Sequence, residues 1–338
     1  MAGKLTQRSL ADMLGVSYPT VNRALNNTGR IRPRTRERIL EAARQLGYRK
    51  NIFASSLASR KTHSIGLVGV NFVSIWRDII SGIEGHARTH DYHLILCHRP
   101  SERSSSAKEI KFLLERQVGG IILSPNLPYE NIEPFIAARN AGVPILVLFG
   151  YMPGLPSYYL GTDTLNGTRE GCRYLLGLGH RRIAFVEGTE GAYHSDRRLD
   201  GYRTEMQNRR LKQIVIKGGG WLHKHGRFAA ERILELEERP TAVFASNDLQ
   251  AIGIFKRFSE AGIRIPEDVS LLGYSGMEEG ELLSSPLTSI AHPLMELGRR
   301  ACERIVNIIE QKGEEPKFEE LPDKLLVRES CGPPAHGQ

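Results

Sequence analysis

The chain has 338 residues, 40% of them hydrophobic and 25% charged, with a formal net charge of +8. That length suits more than one buried core. The composition excludes a disordered polar chain, and no run of about 18 apolar residues offers a membrane span. The four cysteines, Cys97, Cys172, Cys302 and Cys331, are scattered, which argues against a disulfide framework and for a reducing compartment.

The charge is unevenly placed. Residues 1–62 hold thirteen Lys and Arg against three Asp and Glu, a net of +10, so the remaining chain carries −2. A basic head on a near-neutral body is the electrostatic footprint of a phosphate-binding module. The head has helical periodicity, so it is not a solvated tail. Leu10, Ala11 and Leu14 share one face of a first helix, and Gly15 supplies a tight turn. Ser17 suits the N-cap of a second helix, with Pro19 in its first turn. Val21 and Leu25 face inward in that helix, leaving Tyr18, Asn22, Arg23 and Asn26 outward. A third helix spans roughly 33–46, with Ile39, Ala42, Ala43 and Leu46 as its apolar stripe and Gly47 just beyond its end. Two short helices around a tight turn form a helix-turn-helix, whose second helix enters the DNA major groove. Spacing alone also fits a plain helical hairpin with a solvated polar face.

Three segments carry a family likeness: Gly-Val-Ser-x-x-Thr-Val-x-Arg (15–23), Thr-Arg-x-x-Ile (35–39) and Leu-Gly-Tyr (46–48). Together they resemble the head of the LacI/GalR family of bacterial regulators, and the likeness runs to about residue 330. The resemblance implies DNA contacts from Thr6, Ser17, Tyr18, Pro19, Thr20, Asn22, Arg23 and Asn26. Asn22 stands where the family usually has Ser, and Arg32 where it often has a Ser cap. Residues 49–62 correspond to the family's hinge, with Asn51, Ala54 and Leu57 as the matching positions. There Leu57 is expected to act as a minor-groove wedge; by pattern alone the segment reads equally well as a flexible linker.

From residue 64 short β-branched runs alternate with helical patterns. Strands are expected at 64–70, 93–99, 119–125, 145–150, 182–188, 242–248 and 269–275, with helices such as 77–89 and 109–116 between them. Near-continuous apolar strands alternating with helices mean buried parallel sheets. The expected fold class is α/β, a three-helix head plus a periplasmic-binding-protein-like body of two Rossmann-like subdomains. The resemblance implies a head over 1–48 and a hinge linker over 49–62. It implies an effector-binding and dimerisation domain over 63–330 and a tail over 331–338. The N-subdomain would hold about 63–161 and 291–321, and the C-subdomain about 162–290 and 322–330. The chain would cross between them near 162, 291 and 322. Such sheets bind ligands at the carboxyl ends of their strands.

The resemblance also points to an effector site. The segment from His194 to Tyr202 matches the family's Arg-Leu-x-Gly-Tyr, which makes Arg198 the candidate ligand-gripping arginine. Trp221 and Trp76 match positions where relatives place aromatics near the cleft, although core packing explains either ring as well. Asn247 closes a strand in Ala-Ser-Asn-Asp. Ser275 replaces the Asp usual in the family after Gly-Tyr. Without that carboxylate Arg198 lacks a neutralising partner, which favours a sugar acid or sugar phosphate over a neutral sugar. A nearby acid, Asp248 or Glu278, is the alternative source of that charge.

Enzyme motifs are lacking. The sequence holds no Walker A motif, no His-Glu-x-x-His and no Cys-x-x-Cys, and Met277 breaks the nucleophile-elbow pattern around Ser275. No cofactor or metal is expected. The charged N-terminus without an apolar stretch gives no sign of a signal peptide, and this implies a cytoplasmic protein. The expected function is a ligand-responsive transcription factor, a repressor of carbohydrate genes. Its partners would be a pseudo-palindromic double-stranded operator and a small sugar-like effector. The last residues, with two prolines and no leucine, cannot form a heptad seam, so the expected assembly is a homodimer.

Overall fold

The computed structural model describes residues 5–48, 62–70, 75–99, 104–124, 130–150, 158–313 and 318–335. The chain divides into two compact units, Met1–Thr62 and His63–Gln338.

The first unit is built from capped helices. Thr6 opens α1 (Gln7–Leu14): its hydroxyl accepts from the Ser9 amide at 3.1 Å, while Ser9 Oγ accepts from the Thr6 amide at 2.7 Å. Gly15, at φ 63°, turns the chain through a conformation that only glycine takes freely. Ser17 caps α2 (Tyr18–Leu25), with Pro19 in the first turn. Leu10, Ala11, Val21, Ala24, Ile39 and Ala43 form the core between these helices and α3 (Pro33–Gln45). Leu46 does not belong to that core as expected. The helix stops at Gln45, Leu46 is 47% exposed, and the left-handed turn at Gly47 places Tyr48 against the core instead.

The second unit alternates strands and helices. It begins β1 (Ser64–Val70), α4 (Ile75–Thr89), β2 (His93–Arg99), α5 (Ala107–Glu115), β3 (Gly120–Leu123), α6 (Glu133–Asn140), β4 (Ile145–Leu148) and β5 (Tyr158–Thr162). It continues α7 (Thr164–Gly177), β6 (Ile183–Val186), α8 (Tyr193–Asn208), β7 (Ile214–Ile216), α9 (His223–Leu234), β8 (Ala242–Ala245), α10 (Asp248–Glu260) and β9 (Ser270–Ser275). A short 3-10 turn (Glu278–Leu282), β10 (Thr288–Ala291), α11 (Leu294–Ile309), β11 (Phe318–Leu321) and β12 (Lys324–Leu326) complete it.

Among the described residues the strands form two six-stranded sheets, β11-β5-β4-β3-β1-β2 and β12-β10-β9-β8-β6-β7. The first is parallel throughout; in the second only β12 runs against its neighbour β10. Each sheet is covered on both faces. In β1, Ile65 and Leu67 face one core and Val68 the other. Strands β3, β4, β6, β8 and β9 are buried at every position, which is why they read as unbroken apolar runs. Several end earlier than those runs. The expected strand 242–248 stops at Ala245, because Asn247 caps α10 and Asp248 is already helical.

The chain passes between the sheets three times, from β5 into α7, from β10 into α11, and from β11 into β12. Thr162, His292 and Asp323 stand at these three passages. Helix α11 returns to the first sheet and packs on α4, adding Leu294, Leu297, Ala301 and Ile305 to the core around Ile79 and Ile83. Here the two backbones touch. A Cβ on Gly298 would lie 2.1 Å from the Ile79 carbonyl oxygen, and one on Gly82 would lie 2.1 Å from that of Met295. Gly298→Ala should therefore force the helices apart and cost about 1–3 kcal/mol. Urea denaturation of the purified protein checks this as a lower midpoint at unchanged slope.

Candidate DNA-binding face and effector cleft

On the first unit Tyr18 is 48% exposed, and Pro19, Arg23 and Ser17 are exposed as well. Asn22 is half-buried and already engaged: its Nδ2 donates to Gln7 Oε1 at 3.0 Å, and its Oδ1 accepts from Asn26 Nδ2 at 3.0 Å. An amide has two protons and two lone pairs, so these bonds orient Asn22 and leave it one donor and one acceptor. Thr20 turns toward the cap, with Oγ1 2.8 Å from Ser17 Oγ, and the Thr6 hydroxyl serves the cap of α1. Asn51, Ala54 and Leu57 lie outside the described residues.

On the second unit the candidate effector residues gather at the carboxyl ends of the second sheet. Arg198 projects from α8 and is only 4% exposed. Its Nη1 donates to the Ser246 carbonyl at 2.5 Å and its Nη2 to His292 Nε2 at 3.0 Å. The guanidinium carbon sits 4.0 Å from the Tyr274 ring centroid and 5.6 Å from that of Trp221. Its Nε is buried and has no hydrogen-bond partner among the described residues. Burial works against the Arg198 charge, while Tyr274, Asp323 and Asp248 work for it.

The ring of His194 stacks on Trp221 at 4.8 Å, and its Nδ1 lies 3.3 Å from the Phe149 carbonyl oxygen, which belongs to the first sheet's side. Burial, reinforced by the Arg198 charge, pushes the His194 pKa down to about 3, so the ring is neutral. Asn247 spends its side-chain amide on structure: Oδ1 caps Gln250 at 2.8 Å and Nδ2 holds the Trp221 carbonyl at 2.8 Å. Ser275 ends β9 at φ 121°, a strained backbone for a residue with a Cβ, and its carbonyl faces the His292 amide at 3.4 Å. Beside the passages lies a small pocket, open to solvent, lined by Phe149, Leu160, Thr162, Tyr193, His194 and Glu320 among others.

Trp76 is not part of this group. It is 7% exposed in the core between α4 and the first sheet, so packing accounts for it. Among the described residues no group of three or more His, Cys, Asp or Glu could hold a metal ion, and no helix is long and apolar enough to cross a membrane.

Residues 8–51 match the model of bacterial regulatory proteins of the lacI family, and residues 172–331 match that of the periplasmic binding protein-like domain. The chain is 29% identical over 330 residues to the HTH-type transcriptional repressor PurR of Vibrio atlanticus (strain LGP32), covering 96% of this chain and 97% of that protein. It is 26% identical to the lac repressor dimer solved with operator and the anti-inducer ONPF, at a TM-score of 0.87 over 97% of this chain and 99% of that one. The chain belongs to the LacI family of bacterial regulatory proteins. A LacI-family regulator from Enterococcus faecium, solved with bound ribose, is 25% identical at a TM-score of 0.73, covering 80% of this chain and 99% of that one. The α/β architecture expected from the sequence, a helix-turn-helix head with a two-sheet body, is that of the family. Its members are DNA-binding transcriptional regulators with a ligand-binding domain, not enzymes.

One expectation for this LacI-family site fails in its premise. Arg198 is not left without a countercharge. The Asp323 carboxylate lies one imidazole away, with Oδ1 2.8 Å from His292 Nδ1 and Oδ2 accepting from Tyr274 Oη at 2.5 Å. Of the two nearby acids, Asp248 adds to this countercharge without a direct bond to Arg198, and Glu278 does not take part. Asp248 is buried and bound by Ser289 Oγ at 2.6 Å and the Met277 amide at 2.7 Å; Glu278 is exposed and pairs with Arg77 at 3.1 Å. Arg197 is also answered, by Glu320 at 3.1 Å. The case for an anionic effector therefore loses its electrostatic basis. His292 and Asp323 escaped the sequence reading because nothing in a single sequence joins positions so far apart. The available signal was that each directly follows a short polar strand or a Leu-Pro pair.

The oriented Asn22 gives a prediction. Asn22→Ser removes both remaining amide groups, so duplexes selected from a random pool by the two proteins should differ in consensus at one or two positions per half-site. The discrimination lost should be about 1–3 kcal/mol, while the salt dependence of binding stays the same. Identical consensus sequences would return Asn22 to a purely structural part.

Proposed function

We propose that this regulator is a repressor of carbohydrate-utilisation genes, released from or directed to its operator by a small, neutral, sugar-like effector. The observation that carries the reading is Arg198, buried between two aromatic rings with an unpartnered Nε, in a group already neutralised by Asp323. An aromatic face and an open donor suit a ring carrying hydroxyls, and a group without net charge does not favour an anion. The ribose bound by the Enterococcus faecium relative supports a sugar. A flat ligand is the second reading, since His194 and Trp221 stack at 4.8 Å and the Vibrio relative is the repressor PurR.

The proposal assigns base and phosphate contacts to Tyr18, Asn22 and Arg23, and a hinge with a minor-groove wedge to Asn51, Ala54 and Leu57. The protein would work in the cytoplasm, on a pseudo-palindromic site, as a homodimer. Leu96 on β2 and Leu282, 49% and 85% exposed, are two apolar side chains proposed to contact a two-fold partner.

A thermal-shift panel of neutral monosaccharides, hexose phosphates, uronic acids and nucleobases tests the effector. A neutral sugar should raise the melting temperature, and Arg198→Ala should abolish the shift while leaving DNA retardation intact. Stabilisation by a nucleobase alone would select the second reading; stabilisation only by the anions would reject the neutral-effector assignment. Light scattering at micromolar concentration should give twice the chain mass, and a stable monomer would sink the dimer.

A further inference from the structure

We propose that His292 and Asp323 position Arg198 and bolt the three passages between the sheets together, so that whatever moves Arg198 is felt at all three. A guanidinium can only donate, so the 3.0 Å contact from Arg198 Nη2 makes His292 Nε2 an acceptor. The imidazole proton then sits on Nδ1, which points at Asp323 Oδ1 at 2.8 Å. Each contact fixes the same tautomer, one from either side. Thr162 Oγ1 lies 2.8 Å from that Nδ1 as well. The His292 side chain is 2% exposed and that of Asp323 is 0% exposed, so water does not compete for these bonds.

Burial opposes the Asp323 charge, and the hydrogen bonds that Asp323 accepts from His292 and Tyr274, with the nearby Arg198 charge, favour it. It stands as the anion that the relay requires.

The placement gives the relay its consequence. Thr162 ends β5, His292 follows β10 and Asp323 follows β11, so each passage contributes one member. A backbone bond joins two of the same points, the Asp163 amide donating to the Leu321 carbonyl at 2.9 Å, while the His292 amide is tied back to its own sheet by the Ser275 carbonyl at 3.4 Å. Arg198 enters from α8, between Tyr274 and Trp221. Withdrawing the guanidinium leaves His292 Nε2 buried without its donor, and the passages then lose the contact that orients their central ring. The relay needs no ligand to exist; only its use as a signal rests on the proposed effector site.

Three measurements on the full chain test it, none of which needs the effector. Nitrogen-15 spectra of the wild-type histidines should show His292 neutral with its proton on Nδ1; a proton on Nε2 would overturn the relay. Arg198→Met should speed hydrogen exchange of the amides at 162–164, 292–294 and 321–324 by about tenfold or more, with β2 unchanged. Unchanged passages, or equal acceleration everywhere, would overturn it. In a Trp76→Phe background, which leaves Trp221 as the sole tryptophan, His292→Gln should keep wild-type emission and slow exchange at the passages. A glutamine can accept from Arg198 and donate to Asp323 at once. His292→Leu can do neither and should lose both, even if its melting temperature is unchanged. Gln and Leu variants that behave alike would reduce His292 to a packing residue. Because these readouts are ligand-free, a silent effector panel leaves them standing, and their failure leaves the panel's result standing.

Discussion

The Arg198 guanidinium is almost wholly removed from water, and a charge in that position must be answered by oriented partners. Much of the second unit is arranged around that requirement. The Ser246 carbonyl at the end of β8 takes one nitrogen, the Tyr274 ring of β9 lies beneath the plane, and the imidazole after β10 takes the other terminal nitrogen. The negative charge arrives last in the chain, from Asp323, and it is shared with Tyr274 at 2.5 Å. The compensation is drawn from a segment more than a hundred residues beyond Arg198 and reaches it through the His292 ring.

Around that point the architecture is spare. Two parallel sheets meet where their strands end, which is where such sheets leave room for a ligand. Asn247 both starts α10 and holds the Trp221 backbone, so the wall of the cleft is set by a helix cap rather than by a free side chain. The head uses the same economy, since the bonds that place Asn22 come from Gln7 in one helix and Asn26 at the end of the other.

What the sequence revealed follows from burial. β1, β3, β4, β6, β8 and β9 announce themselves because they are apolar throughout or nearly so. β5 and β10 to β12 do not. They run three to five residues and carry Thr162, Ser289, Glu319 and Glu320, and they exist because a neighbouring strand offers an open edge. The same asymmetry marks the site. Arg198 and Trp221 were legible through a local pattern that the family shares, and the structure brings them within 5.6 Å. His292 and Asp323 stand just beyond the strands that were hardest to see, so the residues completing the arginine were hidden with them. Leu46 misled for a simpler reason, since periodicity does not report where a helix ends.

The pairing of α4 with α11 bears on how the protein is made. Ile79 and Ile83 of α4 are covered by Leu297, Ala301 and Ile305, which lie more than 200 residues later in the chain, and the edge of the first sheet waits still longer for β11. A ribosome therefore releases the head, complete in its own small core, well before the first sheet can close. Through most of translation that sheet carries an apolar helix face and an open strand edge toward the cytosol, the kind of surface that chaperones bind and that aggregates when crowded. Truncation or stalling near the C-terminus would expose both sheets at once, since β12, which pairs with β10, is made last.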